Sequence, residues 1–280
     1  MTIGDIPGMY FNAELFLRSL IFNSRIKFEL TIIVTTSSDP YNWDVYEDRR
    51  ITQYVKENHP ILLKHSEVLA SPACYTTHPN IRWKISPRAK VCAFVDADLL
   101  ICKSLIPFCE ATDNGGVNGL IAFDCPLDIG QWDELFSKVG LPKCKRGLTT
   151  WTRKECPATY FNYGNIIVPA ELVETIGEEL KTDIELLNST MPSYFAGQIA
   201  LTMTLERLRV PTHRFAIRYN FPDLYGTDIN EQEFSEITIF HYMHRKSILT
   251  DFDSIALMQN DQLSKTIEMC CKETYSLMMI

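Results

Sequence analysis

Val91-Cys92-Ala93-Phe94-Val95-Asp96-Ala97-Asp98-Leu99-Leu100-Ile101 is the stretch that decides how this chain is read. Its apolar run, rich in β-branched and aromatic side chains, predicts a buried strand. The run ends in two aspartates flanking Ala97, and then apolar residues resume. A buried strand carries two carboxylates only where something compensates their charge. A divalent cation at the C-terminal edge of an open sheet does so, and α/β proteins place ligands at that edge. On a regular strand the two side chains share a face. If the strand breaks at Ala97, both can still converge on one ion. Oxygen ligands suit Mg²⁺ or Mn²⁺ rather than zinc. The bland alternative is a strand end whose aspartates cap the next turn, and the motif alone does not choose between the two.

Outward from this stretch, strand and helix patterns alternate. Apolar residues recur at helical spacing from Met9 to Phe22, and Leu30 to Thr35 reads as a strand. Trp43 to Val55 predicts a helix, and Leu62 to Leu69 holds a short apolar segment. Residues 71–80 form a polar loop, and Ile81 to Ile85 lead toward the central strand. Beyond the aspartates, Leu105 to Phe108 reads as a turn and Gly119 to Phe123 as a buried strand ending at Asp124. A helix around Trp132 to Val139 lies within 126–158, followed by a loop long enough to be an active-site lid. Tyr160 to Val168 joins a polar turn to a strand, helices follow at 170–187 and 195–208, and Ile237 to Phe240 is a late strand ending in His241. Leu257 to Met279 predicts a last, amphipathic helix. Such alternation argues for α/β architecture with a mixed, mostly parallel central sheet flanked by helices. No repeat or linker divides the chain, so a single domain over 1–280 is expected, with 248–280 as a C-terminal helical tail.

The chain has 280 residues, 46% of them apolar, enough for a substantial core. A formal charge of −8 disfavours a nucleic-acid partner. It leaves room for a nucleotide, since a metal and a few basic residues can hold a diphosphate. Nine cysteines are scattered without a C-x-x-C, which suggests reduced thiols and a cytoplasmic protein. Cys92, Cys102 and Cys125 lie in apolar runs and read as small core residues. No signal peptide is visible, and no apolar run approaches transmembrane length.

The ordered motifs resemble the nucleotide-sugar glycosyltransferases of the GT-A fold, above all the glycogenin and bacterial galactosyltransferase family, whose members are mostly retaining. The resemblance runs from about residue 9 to 247. The family's D-x-D, which binds Mn²⁺ and the donor diphosphate, is matched by Asp96-Ala97-Asp98. Its F-N-A-G reads Phe161-Asn162-Tyr163-Gly164 here, with Tyr for the small residue. Its D-Q-D reads Gly197-Gln198-Ile199, so Gln198 alone matches. Tyr219-Asn220 fits the usual aromatic-Asn pair. Its H-x-G-x-x-K reads His241-Tyr242-Met243-His244-Arg245-Lys246, with Met in place of Gly. The resemblance implies that His241 completes the metal site, that Lys246 contacts a phosphate, and that Tyr10 stacks on the base. The first strand of the fold is nearly absent before Met9: either Thr2-Ile3 is its short remnant or the sequence begins late.

The chemistry implied is transfer of a hexose from a nucleotide-diphosphate donor, a UDP-sugar in the family, to a sugar, lipid or protein acceptor that the sequence does not name. An oxocarbenium-like transition state and a stabilised leaving diphosphate are required. Mn²⁺ (or Mg²⁺) on Asp96, Asp98 and His241 meets the second need. Arg82, near the motif, is either a solvated residue or a phosphate or base contact. Gln198, Asp124 and Asn162 lie at element ends and are the candidate catalytic residues around the donor sugar. Taken singly, each has a plain structural explanation; Asn162, for example, is a favoured turn residue. Two rivals stand. A phosphohydrolase of the haloacid-dehalogenase class also uses D-x-D after a strand, but Leu99-Leu100 follow here, where that class usually has Thr or Gly. A decayed transferase that binds without turnover would account for Gly197, Tyr163 and Met243.

Overall fold

A computed structural model describes residues 1–35, 45–72, 79–143, 148–150, 152–190, 195–222, 235–242 and 261–278. Its first sheet is three parallel strands, β1 (Thr2–Gly4), β2 (Thr31–Thr35) and β3 (Glu67–Ser71) in that spatial order. Helix α1 (Pro7–Asn23) crosses between β1 and β2, with Pro7 in its first turn, where a missing N–H costs nothing. Helices α2 (Val45–Asn58) and α3 (Pro60–His65) lead to β3.

The second sheet has four strands: β4 (Val91–Val95), β6 (Val117–Ile121), β9 (Phe161–Pro169) and β10 (Thr212–Arg214). Their order is β10-β6-β9-β4, with β9 antiparallel to both neighbours and β10 parallel to β6. Helices α4 (Ile106–Thr112), α5 (Ile129–Lys138), α6 (Ala170–Thr190) and α7 (Ala196–Leu208) connect these strands. The third sheet pairs β11 (Phe221–Pro222) with β12 (Ile239–His241), and β12 runs antiparallel to β5 (Leu99–Ile101). A two-residue pair, β7 (Leu148–Thr149) with β8 (Glu155–Cys156), lies within the lid-length loop. The last helix, α8, spans Asp261–Met278.

Two cores meet at the D-x-D strand, because its side chains alternate faces. Phe94 stacks on Trp83 at 4.2 Å between ring centres, in the core of β6, β9 and α5–α7. Val95 faces the core built by α1, β2 and β5. The strand is less buried than its composition predicts. It is the edge of the four-stranded sheet, and Ala93 remains exposed.

Other expectations shift for local reasons. Residues 79–83 form a 3₁₀ turn rather than an extended lead. Ile106 starts a helix where a turn was expected, since Pro107 is well placed in a first helical turn. Strand β6 begins two residues early and ends at Ile121. The short β10 gave no pattern of its own. Cys102 and Cys125 are buried, whereas Cys92 is half-buried.

Most polar groups inside this fold are partnered; among the described residues, Thr2 Oγ1 and Asn165 Oδ1 are buried without a hydrogen-bond partner. Helix α1 is buried on nearly all sides, including Glu14, Arg18 and Ser19. Ser19 Oγ accepts from Ile101 N–H at 3.0 Å, and Asn23 Nδ2 donates to Ile101 C=O at 2.8 Å. These two side chains thus satisfy the edge of β5 that β12 does not cover.

Candidate functional site

Strand β4 stops at Val95 and β5 starts at Leu99, so Asp96, Ala97 and Asp98 form the break between them. Asp96 is tied back to β9, its N–H donating to Gly164 C=O at 2.7 Å. A Cβ added at Gly164 would overlap the Asp96 carboxylate. The glycine of Phe161-Asn162-Tyr163-Gly164 is thus the floor on which Asp96 rests. Asn162 Oδ1 accepts from the Gly164 N–H at 2.9 Å, an Asx-type turn that shapes this floor.

Register brings His241 to the same place. In the β12–β5 pair His241 lies opposite Leu99, and Tyr242 N–H donates to Asp98 C=O at 3.0 Å. His241 Nε2 is 3.2 Å from Asp98 Oδ1. Ligating atoms of Asp96, Asp98 and His241 all lie within 4.8 Å of one another, and no other such group of His, Cys, Asp or Glu occurs among the described residues. His241 is buried. Its Nδ1 sits 3.0 Å from Asn220 Oδ1, itself buried. A carboxamide oxygen can only accept, so Nδ1 carries the proton and Nε2 points to the carboxylates, as a metal-ligating histidine requires. Burial alone pushes the imidazole pKa down. The Asp98 carboxylate against it, with Asp96 behind, reverses this and holds it above its ordinary value.

Arg82 is buried, not solvated. Its Nη2 donates to Asp96 Oδ1 at 2.9 Å and its Nη1 to Tyr163 C=O at 2.7 Å. The guanidinium lies 4.5 Å over the Tyr163 ring. Tyr163, bulkier than the family's small residue, is therefore the platform for an arginine. Tyr163 N–H in turn donates to Gln198 Oε1 at 3.0 Å, at the first turn of α7. The Tyr160 hydroxyl donates to Asp124 C=O at 3.1 Å and is also hydrogen-bonded to Gln198. Asp96, Arg82, Asn162 and Gln198 are thus one connected set, and Asp124 joins it through its backbone.

The Asp124 side chain has partners of its own. Thr152 Oγ1 donates to Oδ1 at 2.5 Å, and Lys154 Nζ stands at 3.1 Å. Burial pushes the carboxyl pKa up, and the hydrogen bonds from Thr152 and Lys154 together outweigh it and hold it below the usual value. Tyr10 is packed as core. It is 1% exposed, its ring stacks on His59 at 5.6 Å, and its hydroxyl donates to Asp5 Oδ1 at 2.6 Å. It presents no free ring face for a base. Lys246 lies outside the described residues. Sequence reasoning left Asn220 without a role and did not pair Arg82 with Tyr163; the Tyr219-Asn220 motif was the available signal for the first.

No protein-family model and no curated protein matches the chain. Solved structures do. The chain is similar to WbbM, a bifunctional glycosyltransferase in its apo form, with a TM-score of 0.53 and 14% identity, over 99% of this chain but only 50% of that one. It is similar to apo mouse xyloside xylosyltransferase 1, with a TM-score of 0.52 and 12% identity, over 89% of this chain and 98% of that one. An active-site mutant of LgtC gives a TM-score of 0.56 at 10% identity, over 96% and 94%. The fold is that of the GT-A glycosyltransferases. Within this fold the turn Asp96-Ala97-Asp98 faces His241 of the late strand β12. Among the described residues, no helix is long and apolar enough to cross a membrane.

Proposed function

We propose that this chain is a metal-dependent retaining hexosyltransferase that uses a nucleotide-diphosphate sugar, UDP-linked, and acts on a sugar, lipid or protein acceptor in the cytoplasm. The observation that carries this is the convergence of Asp96, Asp98 and His241 at the D-x-D turn of a GT-A fold. Two carboxylates and an imidazole whose Nε2 faces them fit Mn²⁺, or Mg²⁺ with oxygen ligands in the majority. Bound there, the ion supplies Lewis-acid neutralisation of the leaving diphosphate.

The chain's own groups do the rest. Arg82 holds Asp96 in one orientation through a two-point clamp on Asp96 and Tyr163 C=O, which preorganises the ligand. Ala97, between the ligands, offers backbone to the nucleotide, and Lys246 adds charge at the departing phosphate. Gln198, Asn162 and Asp124 are assigned to the donor sugar, where fixed amide and carboxylate groups orient hydroxyls next to the anomeric carbon. Gly197 leaves room where the family has a carboxylate, so the donor sugar can be larger than glucose or galactose. A second reading, nucleotide-sugar binding without turnover, draws on Gly197 and on Gln198, whose amide is engaged by Tyr163 and Tyr160.

Titration calorimetry with UDP, with and without Mn²⁺, tests the site, beside a donor-hydrolysis assay that separates catalyst from binder. Asp98→Asn is expected to abolish Mn²⁺-dependent UDP binding and leave the fold intact. UDP binding that ignores Mn²⁺ and survives this substitution would sink the proposal. Proton NMR couplings of the transfer product decide retention, and an inverted anomer would overturn that part.

A further inference from the structure

The 3₁₀ turn at 79–83 has two sides. One carries Arg82 to Asp96. The other, with the segment 84–87 and helix α6, lines a separate groove of about 530 Å³. That size lies within the ~300–1,000 Å³ of small-molecule sites. We infer that this groove binds a neutral oligosaccharide, away from the metal centre.

The lining chemistry argues for polyhydroxyl ligands. Asn80 is 8% exposed and lines the groove, yet its side chain has no hydrogen-bond partner among the described residues. Its carboxamide, open to the groove, offers two donors and an acceptor to whatever enters. Opposite it, Glu171, Glu174 and Glu178 project from α6. They have no ion-pair partner among the described residues and accept hydrogen bonds from adjacent hydroxyls. The half-buried Ile85 and Pro87 side chains supply a short apolar strip for the C–H face of a sugar ring, beside the buried Trp83. Helix α6 packs closely on the 3₁₀ turn at Gly177, where an added Cβ would come within 2.9 Å of Trp83 Cβ.

Other ligand classes fit less well. Three carboxylates repel phosphates and nucleotides. They are not close enough together to form a metal site, since the only cluster able to hold an ion among the described residues is Asp96, Asp98 and His241. Lys84 and Lys181 in the same lining oppose a polycationic peptide. The inference goes beyond the proposed transferase reaction and does not depend on turnover.

An array of neutral di- to tetrasaccharides probed with the full chain tests it, with pentalysine and UDP–Mn²⁺ as competitors. At least one neutral oligosaccharide should bind in the millimolar range or better. Glu174→Lys, an exposed change on α6, should weaken it at least tenfold, and Asn80→Leu likewise. Both variants should keep Mn²⁺-dependent UDP binding, while Asp98→Asn should lose UDP binding and keep the oligosaccharide. The inference is overturned if no neutral oligosaccharide binds, if Glu174→Lys leaves binding unchanged, if pentalysine displaces the sugar, or if Asp98→Asn abolishes it. The last result would place the sugar at the metal centre. Failure of UDP binding with sugar binding intact would count against the transferase reading alone.

Discussion

Gly164 and Asn220 show how single residues hold the metal centre together without being ligands. A methyl at position 164 would occupy the space of the Asp96 carboxylate. Gly164→Ala is expected to cost about 1–3 kcal/mol by overpacking and to abolish Mn²⁺-dependent UDP binding, since Asp96 must swing away from Arg82. Equal unfolding midpoints and equal UDP affinity for variant and wild type would refute this. Asn220 acts through His241. With Asn220→Leu, Nδ1–H loses its acceptor and the ring loses its orientation, so Mn²⁺ affinity should fall about 10–100-fold. Mn²⁺ titration by electron paramagnetic resonance reads that loss directly, and an unchanged affinity would make Asn220 a packing residue only.

The elements that build the site differ in how strongly they are locally specified. Helix α5 carries a full capping box, with Asp128 Oδ1 accepting from Gln131 N–H at 2.9 Å and Gln131 Oε1 accepting from Asp128 N–H at 2.9 Å. Asp128→Ala should lower stability by about 1 kcal/mol in urea unfolding while leaving UDP–Mn²⁺ binding unchanged, because α5 packs on the far core and not on the D-x-D turn. A loss of binding in that variant would mean that α5 supports the site. Strand β12, by contrast, is three residues long, Ile239–His241, two residues later in its start than the run Ile237–Phe240 predicts. Its place is set by pairing with β5 on one side and β11 on the other, and that pairing delivers His241.

Across the molecule, one buried charge cluster couples α1 to α3. Glu14 accepts from Arg18 at 2.7 Å and stands 2.9 Å from His59 Nδ1. Burial alone would raise the Glu14 pKa; the hydrogen bonds from His59 and Arg18 outweigh it and hold the carboxyl below 4.5. The folded state then binds fewer protons than the unfolded chain between the two values. The stabilisation is complete above about pH 4.5 and is lost as pH falls through the lower, folded-state value. Glu14→Gln should flatten that acid limb and cost about 3–5 kcal/mol at pH 7, because Arg18 is left buried without its counter-charge. Urea unfolding from pH 3 to 7 measures both, and an identical acid limb in the variant would remove Glu14 from the account.

The D-x-D strand, α1, α6, α7 and the mixed α/β class were legible in the sequence because each rests on local periodicity, which a chain carries in its own order of residues. The two aspartates could be placed at a strand end for the same reason. Other features belong to tertiary structure. His241 reaches Asp98 only through the antiparallel register of β12 on β5, across more than a hundred residues of chain. Arg82 leaves solvent because Tyr163 from β9 supplies a ring and a carbonyl for it. Tyr10, placed on the nucleotide by resemblance, is instead enclosed by Tyr54 and His59 from α2 and the start of α3. Burial and partner choice are properties of surfaces brought together by folding, so an order of residues along the chain does not contain them until the sheets and helices have met.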